Sequence, residues 1–187
     1  CATGFSLDEK IRAEARDALL ALRQAGVEVA VLSGDQQHRV VALVRQIDVN
    51  PPVFVAAASA SPEGKLGVLQ TAQQAGRVVA VVGDGINDAP VLAKAHASFA
   101  LDQGAPLAQS QADFIVLGGR LGGVPLAVSV ARRAQQIVRQ NLIWAAAYNF
   151  VCIPLALMGY LPPWLAGIGM ALSALGVLLN ALRIGAS

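Results

Sequence analysis

The sequence predicts an α/β domain built on a parallel sheet, followed by a hairpin of two transmembrane helices. Apolar runs of strand length alternate with helical segments over the first two thirds of the chain, as in α/β proteins. Between Asn141 and Leu182 there is no Asp, Glu, Lys, Arg or His. This uncharged run is about twice the roughly 20 residues that one bilayer crossing requires. Hydrophobic residues make up 55% of the 187-residue chain and charged residues only 14%, which agrees with a partly membrane-embedded protein.

The elements of the α/β part follow one another as strand, polar turn and helix. Near-continuous apolar runs are typical of strands in a parallel sheet that is covered on both faces. Ser61 and Pro62 predict a helix start, as N-cap and first helical residue, and Gly26 predicts a helix end. Right-handed crossovers would bring the carboxyl ends of the strands to one edge of the sheet. The predicted helices are 10–25, 36–47, one from 62 onward and 88–95, and the predicted strands are 27–32, 53–57, 77–83, 97–101 and 113–117.

The membrane part is predicted to begin with a connecting helix that continues into the first crossing. Residues 141–160 form that crossing, "LPPW" turns the chain, and residues 165–182 return it. Arginines flank the outer ends of this hairpin and the turn has none, so the positive-inside rule places the α/β domain and the C-terminus in the cytoplasm. The predicted division of the chain is an α/β domain at 1–120, a connecting helix at 121–140 and two transmembrane helices at 141–187.

The stretch "GDGINDAP" (83–90) gathers acidic and amide side chains at the end of an apolar strand. A buried carboxylate without a partner is costly, so Asp84 and Asp88 need a cation, hydrogen bonds or water. Gly83 and Gly85 allow a sharp turn that points Asp84 at a hard cation such as Mg²⁺. Asn87 and Asp88 could orient the ligands of that ion. An ordinary turn with a helix cap would use one such residue rather than three.

Two further polar groups follow neighbouring strands. Ser33, Gly34 and Asp35 come after the first strand, where a hydroxyl and backbone N–H groups make a good phosphate site. Lys65 lies in a Ser-Pro-x-x-Lys segment after the second strand and could place an ammonium group near a phosphate. A plain strand-to-helix turn and a solvated helix lysine would have the same appearance. The prediction therefore depends on the combination of the three motifs.

This combination resembles the phosphorylation domain of P-type ATPases, which belongs to the haloacid-dehalogenase superfamily. "GDGINDAP" is similar to the hinge signature of that family, "SGD" stands where the family usually has Thr-Gly-Asp, and Pro62 with Lys65 resembles its downstream lysine motif. The resemblance covers essentially the whole chain. It implies a partial haloacid-dehalogenase-like parallel sheet, Mg²⁺ as a cofactor, and ATP bound mainly by a domain that this sequence does not contain.

The resemblance also implies roles for individual residues. Asp84 and Asp88 would bind Mg²⁺, and Lys65 would neutralise the charge of the phosphate. The phosphoryl oxygens would be contacted by the segment that holds Ser33, Gly34 and Asp35. The hinge would be supported by Gly83, Gly85 and Asn87.

The hairpin carries polar residues at a depth where they are costly to leave unpaired. Tyr148, Asn149, Met170 and Ser173 resemble the Tyr-Asn and Met-x-x-Ser-Ser patterns of copper and silver pumps, with Ala174 in place of the second serine. A thioether suits Cu(I). Zinc, cadmium or lead pumps would be expected to carry an aspartate in the last helix, and none is present here. The resemblance therefore implies Cu⁺ or Ag⁺ as the transported ion.

The predicted function is the C-terminal part of an ATP-driven heavy-metal pump that works through an aspartyl phosphate in a bacterial inner membrane. The Asp-Lys-Thr-Gly motif, the nucleotide-binding domain and the actuator domain do not occur in this sequence, so this chain alone is expected to be inactive. Its expected partners are membrane lipid, the rest of the pump polypeptide and a cytosolic metal chaperone. A net charge of +2 without a basic patch argues against nucleic acid.

Three alternatives remain open. The first is a zinc- or cadmium-type pump, or another P-type cation pump. The second is a membrane-anchored phosphatase, for which only Asp8 and Asp17 precede the first strand as possible nucleophiles. The third is a regulatory fragment that uses the hinge only to bind Mg²⁺.

Overall fold

A computed structural model describes residues 14–47, 54–84 and 86–185. The chain divides into two compact units, Cys1–Leu126 and Ala127–Ser187. The hinge residue Gly85, the carboxylate of Asp8 and the beginnings of the first predicted helix and the second predicted strand lie outside the described residues.

The first unit contains the predicted alternation of strands and helices, with most elements shorter than expected. Gly26 and Gly76 end their helices with positive φ values of 69° and 78°, a backbone conformation that suits glycine. Three-residue 3₁₀ helices at Ile86–Asp88 and Leu117–Gly119 follow the third and fifth strands. The helices are α1 (Ala15–Gln24), α2 (Gln37–Gln46), α3 (Pro62–Gln74), α4 (Ala89–Leu92) and α5 (Pro106–Gln111), and the last of these was not predicted. The strands are β1 (Ala30–Leu32), β2 (Phe54–Ala57), β3 (Ala80–Gly83), β4 (Ala97–Leu101) and β5 (Phe114–Val116).

The strands form two parallel sheets in the described part of the chain, where one continuous sheet was expected. β1 pairs with β2, and β4 lies between β3 and β5. Arg77, before β3, donates to Glu28, before β1, at 2.8 Å, so the entries to the two sheets lie side by side. Apolar patterning identifies strands but does not determine which strands are neighbours, and this explains the difference.

The core of the first unit is centred on β4. Ala100 and Leu101 are 0% and 5% exposed, and Phe99 stacks on Phe114 of β5 with ring centroids 5.0 Å apart. Leu92 of α4 and Leu69 of α3 are almost fully buried. Each buried leucine side chain contributes about 1.5–3 kcal/mol relative to an exposed one, so this core holds the β3 and β4 ends in place.

Helix α3 begins as predicted. The Ser61 hydroxyl oxygen accepts a hydrogen bond from the Gly64 N–H at 3.1 Å, and Pro62 occupies the first turn, where it has no N–H to leave unpaired. This start determines where Lys65 lies, because Lys65 is in the first turn of the same helix.

Gly67 in the middle of α3 gives a first stability prediction. A Cβ at this position meets nothing within 4 Å, and its φ is not left-handed. Replacing Gly67 with alanine is expected to raise the free energy of unfolding by about 1 kcal/mol, since glycine costs this much in a helix interior. Gly76→Ala is the matched control: its Cβ also meets open space, but its φ of +78° disfavours alanine, so stability is expected to fall. Denaturant unfolding of the whole chain in detergent tests both changes, and a loss with Gly67→Ala would contradict the prediction.

Glu63, also in the first turn of α3, gives a pH prediction. Its own backbone N–H, and secondly the Ser61 side chain, hydrogen-bond the carboxylate and lower the pKa of Glu63 from its ordinary value of 4.5. A lowered folded-state pKa means that the stabilisation is present above the ordinary pKa and is lost as the pH falls through the lowered one. A carbon-detected NMR titration of Glu63 is expected to find a pKa below 4.5 that rises in Ser61→Ala but stays below 4.5, because the backbone hydrogen bond remains. An unchanged midpoint in Ser61→Ala would contradict the contribution of the hydroxyl.

The second unit is a helical hairpin. Helix α6 (Gly123–Leu157) starts at the end of the first unit and is continuous through the predicted connecting and membrane segments, and α7 (Pro163–Leu182) returns. Both are long and apolar enough to cross a membrane, with mean hydropathies of 1.3 and 2.0 in spans that are not buried inside the structure. Gly159, with φ of 77°, ends the first helix, and Pro163 begins the second. Leu161 and Pro162 of the predicted "LPPW" turn therefore lie between the two helices, whereas Pro163 and Trp164 belong to the first turn of α7.

Candidate phosphate and magnesium site

The central contact of the candidate site joins Lys65 and Asp88. The Lys65 ammonium Nζ donates to Asp88 Oδ1 at 2.7 Å, and the two side chains are only 12% and 22% exposed. Lys65 lies on α3 and Asp88 at the end of the 3₁₀ helix after β3, 23 residues away in sequence. Two of the predicted site residues are therefore brought together by packing of the α3 and β3 segments.

Gly83 is required by the close approach of Asp88. A Cβ on Gly83 would lie 2.9 Å from Asp88 Cβ and 3.3 Å from Asp88 Oδ2. Any larger side chain would push the carboxylate away from Lys65. The first glycine of the motif therefore has a packing reason as well as a role in turning the chain.

Asp84 and Asn87 are exposed at the carboxyl end of β3. No described residue hydrogen-bonds or ion-pairs with the Asp84 carboxylate, while its backbone carbonyl accepts from the Ala105 N–H at 2.7 Å. The backbone of Asp84 is thus held in place and its carboxylate is available to a ligand.

The loop after β4 supports Asp84, and sequence reasoning missed it. A Cβ on Gly104 would lie 2.6 Å from the Asp84 carbonyl oxygen and 2.9 Å from the Leu101 carbonyl oxygen. The Gln109 side chain donates to the carbonyl oxygens of Asp102 and Gly104, at 2.8 and 3.1 Å, and so fixes this loop. The only signal in the sequence is a lone glycine before Pro106, which is too common a pattern to have indicated a site residue.

Asp102 itself contributes to the same loop. Its Oδ2 accepts from the Gly118 N–H at 2.6 Å, and its Oδ1 is buried with no hydrogen-bond partner among the described residues. Asp102 thereby ties the end of β4 to the 3₁₀ helix after β5. This contact also was not predicted from the sequence.

Ser33, Gly34 and Asp35 follow β1 and form a compact turn. Ser33 Oγ accepts from the Asp35 N–H at 3.1 Å, and Asp35 Oδ1 accepts from the Gln36 N–H at 2.7 Å at the start of α2. The Ser33 hydroxyl hydrogen is left to donate elsewhere. Ser59, with a positive φ of 53°, donates its N–H to the Asp35 carbonyl oxygen at 2.7 Å. Asp35 is therefore used locally, and none of the described contacts links this turn to Asp84 or Asp88.

The donor set at the β3 end suits a hard divalent cation together with a phosphate. Mg²⁺ takes one or two carboxylates and completes its coordination with water and substrate phosphate oxygens. Asp84 offers an unpartnered carboxylate, and Asp88, four residues later in the same motif, pairs with Lys65. No group of three or more His, Cys, Asp or Glu side chains suited to a metal occurs within residues 14–47, 54–84 and 86–185.

The polar residues of the hairpin divide into two sets. Tyr148 and Ser173 lie in the contact between α6 and α7: Tyr148 packs on Gly169, and Ser173 Oγ accepts from the Trp144 indole N–H at 3.0 Å. Asn149 is exposed, and Met170 is 70% exposed. The hairpin by itself thus holds Tyr148 and Ser173 between its helices and leaves Asn149 and Met170 open to other neighbours.

Comparison with known protein families identifies the first unit. The family model of the haloacid dehalogenase-like hydrolases matches residues 3–96. The chain belongs to this family. The match includes the Lys65 and Asp88 pair, the Asp84 carboxylate and the turn after β1.

The sequence similarity of this haloacid dehalogenase-like chain to curated proteins extends over the hairpin as well. A copper-exporting P-type ATPase from Staphylococcus aureus strain JH9 is 40% identical over 180 residues, which is 96% of this chain and 22% of that protein. The chain thus spans about a fifth of the length of the curated relatives that it matches.

Solved structures agree with the fold. A zinc-transporting PIB-type ATPase in the E2.Pi state is 28% identical and superposes over 94% of this chain and 28% of that one, with a TM-score of 0.87. The catalytic CPx-ATPase domain CopB-B is 29% identical over 63% of this chain and 45% of that one, with a TM-score of 0.55. Haloacid-dehalogenase-like parallel sheets followed by two long apolar helices therefore match P-type ATPases.

Proposed function

We propose that this chain supplies part of the phosphorylation domain and two transmembrane helices of a heavy-metal P-type ATPase that exports Cu⁺ or Ag⁺. The observation that carries the proposal is the Lys65–Asp88 pair, together with the unpartnered Asp84 carboxylate of the same motif at the end of a parallel strand. Phosphoryl transfer needs little more from a protein than positioning and charge stabilisation, and these residues can supply both.

Each residue has a role in this proposal. Lys65 exchanges part of its interaction with Asp88 for the phosphoryl oxygens of an aspartyl phosphate. Asp84 and Asp88 hold Mg²⁺, which when bound neutralises charge on the transferred group. The Ser33 hydroxyl and the Gly34 N–H donate hydrogen bonds to the phosphoryl oxygens.

The phosphorylated aspartate would come from another part of the pump. Among the described residues, β1 is paired only with β2, and β3 only with β4. A strand that pairs with both β1 and β3 would join the two sheets and bring its carboxyl end beside Ser33 and Asp84, since parallel strands end at a common edge. ATP would be bound mainly by a further domain.

The choice of Cu⁺ or Ag⁺ is supported by the chemistry of the hairpin. No Asp or Glu occurs from Leu121 to Ser187, whereas a divalent ion such as Zn²⁺ is usually held by charged or imidazole ligands. The exposed Met170 thioether is a soft ligand that could complete a Cu(I) site together with Asn149 and other helices. Tyr148 and Ser173 would position the helices around that site. The zinc-transporting structural relative makes Zn²⁺ the competing cargo.

Metal-stimulated ATP hydrolysis by a chimera tests the proposal. This chain would replace the matching 180 residues of the S. aureus copper-exporting relative, and Cu(I), Ag(I), Zn(II) and Co(II) would be compared. Stimulation by Cu(I) and Ag(I) that Met170→Ala weakens would support pump and cargo. Stimulation by Zn(II) alone would support a heavy-metal pump but reject Cu⁺ or Ag⁺ as the transported ion. Phosphoenzyme that forms in the parent protein but not in the folded chimera would reject the pump.

The proposed location is a bacterial inner membrane, with the first unit and the C-terminus in the cytoplasm and a cytosolic chaperone delivering the metal. The arginines at the outer ends of the hairpin support this orientation. A fluorescent-protein fusion after Ser187 is expected to fluoresce, while an alkaline phosphatase fusion at the same point is expected to be inactive. The reverse pattern would overturn the orientation.

A further inference from the structure

The contact between α6 and α7 ends in a polar cluster. The Asn180 amide donates to Asn141 Oδ1 at 2.9 Å and to Gln140 Oε1 at 3.3 Å. Arg183 Nη1 in turn donates to Asn180 Oδ1 at 3.1 Å. We call the line of contacts from Tyr148 through Trp144 to this cluster the hairpin seam. The polar cluster lies where the uncharged segment of the hairpin begins and ends, because Arg139 and Arg183 are the charged residues that flank this segment.

The hairpin carries positive charge without any negative charge. Its arginines are Arg132, Arg133, Arg139 and Arg183, and no Asp or Glu occurs from Leu121 to Ser187. Arg133, Arg139 and Arg183 form no ion pair with a described residue. Counter-ions for Arg133 and Arg183 must therefore come from outside this unit.

Helix geometry places two of these arginines at the open end of the seam. Arg133 precedes Gln140 by seven residues, so it lies within about 20° of Gln140 on the same face of α6. Arg133 is half-buried, as expected for a residue on the seam, whereas Arg139 is exposed and lies about 100° away from Gln140. Because α7 runs antiparallel to α6, Arg183 lies one turn beyond Asn180 in the direction of Arg133. The axial separation of the two arginines is about 6 Å at 1.5 Å per residue.

We propose that Arg133 and Arg183 bind the phosphate of an anionic phospholipid headgroup at the end of the hairpin seam. Guanidinium groups form bidentate, charge-assisted hydrogen bonds with phosphate oxygens, and two of them match the several acceptors of a phosphodiester. Arg183 directly follows the apolar span and so lies at the level of the headgroups, and the long side chain of Arg133, about 12 Å before Asn141 along α6, reaches toward that level. The negative surface of a cytoplasmic leaflet supplies the missing counter-charge. This inference depends on the membrane insertion and orientation put forward under the proposed function.

Quenching of Trp144 fluorescence by brominated lipids tests the site. Trp144 lies on the seam about 16 Å along α6 from Arg133 and about 5 Å inside the crossing that begins at Asn141, so a bromine near the carbonyl end of the acyl chain of a lipid held at Arg133 reaches its depth. The whole chain with Trp164→Phe, which removes the second of its two tryptophans, is reconstituted into bilayers. Brominated phosphatidylglycerol is compared with brominated phosphatidylcholine, and the ratio of their binding constants is measured. Inorganic phosphate is added in a separate arm.

The expected result is a several-fold preference for phosphatidylglycerol that inorganic phosphate does not abolish. Arg133→Gln and Arg183→Gln are each expected to remove most of this preference, because each takes away one of the two charge-assisted guanidinium–phosphate contacts. Arg139→Gln is the matched control, with the same charge change at the same end of α6 but off the seam, and is expected to leave the preference nearly unchanged.

Three outcomes would overturn the inference. Equal binding of the two lipids would exclude a headgroup site, and loss of the preference in inorganic phosphate would identify a general anion site. An Arg139→Gln effect as large as that of the seam variants would mean that diffuse surface charge, and not a defined site, causes the lipid preference. Absence of quenching by either lipid would contradict membrane insertion itself, and that failure would thus be distinguishable from failure of the lipid site alone.

Discussion

Replacement of Lys65 by methionine is expected to lower metal-stimulated ATP hydrolysis of the chimera by about a hundredfold, the usual effect of removing one preorganised charge from a site that stabilises developing charge. The Lys65 ammonium lies 2.7 Å from Asp88 Oδ1 and the Lys65 side chain is only 12% exposed, so water would replace it poorly. Methionine keeps the length and apolar contacts of the side chain. The measurement is turnover at saturating Cu(I), with phosphoenzyme level as a second readout.

Lys94→Met is the matched control for this prediction. Lys94 is an exposed lysine just after α4 in the same unit, and activity is expected to stay within about twofold because exposed charges are strongly screened. Circular dichroism of the Lys65→Met chain separates a chemical from a folding effect, since the substitution leaves the partly buried Asp88 without its partner. Full activity in a folded Lys65→Met chimera would mean that Lys65 does not contribute to ATP hydrolysis.

Replacement of Gly104 by alanine is expected to destabilise the first unit by about 3 kcal/mol, at the upper end of what overpacking costs. The new methyl group would lie 2.6 Å from the Asp84 carbonyl oxygen and 2.9 Å from both Asp84 Cα and the Leu101 carbonyl oxygen. All three are backbone atoms, which cannot rotate away as a side chain can. Denaturant unfolding of the whole chain in detergent measures the effect.

Gly122→Ala provides the comparison, because a Cβ at Gly122 meets nothing within 4 Å and its φ is not left-handed. Its stability is expected to change by less than about 0.5 kcal/mol, as for most surface substitutions. The Gly104 change is also expected to raise the Mg²⁺ concentration that the chimera needs for half-maximal activity, since it displaces the Asp84 backbone. Equal stability of the two variants would mean that the loop after β4 does not support Asp84.

The secondary structure and the hinge motif could be predicted from local sequence. Runs of apolar residues mark the β strands, of which β4 is buried along most of its length. Ser61 with Pro62 marks the start of α3, because a helix start needs an acceptor and tolerates a missing N–H. The long uncharged segment likewise predicts the hairpin. The short α5 carries no comparable periodic signal and was missed.

The sequence by itself determined the order of the elements, the chemical type of the site and the two apolar helices, since each depends on residues that are near one another in the chain. Tertiary structure alone decided that Lys65 pairs with Asp88, that Gly104 supports Asp84, and that Tyr148 and Ser173 face the seam while Met170 does not. It also decided that the described strands form two sheets. These contacts join residues distant in sequence, and their existence depends on how whole elements pack, which no local pattern encodes.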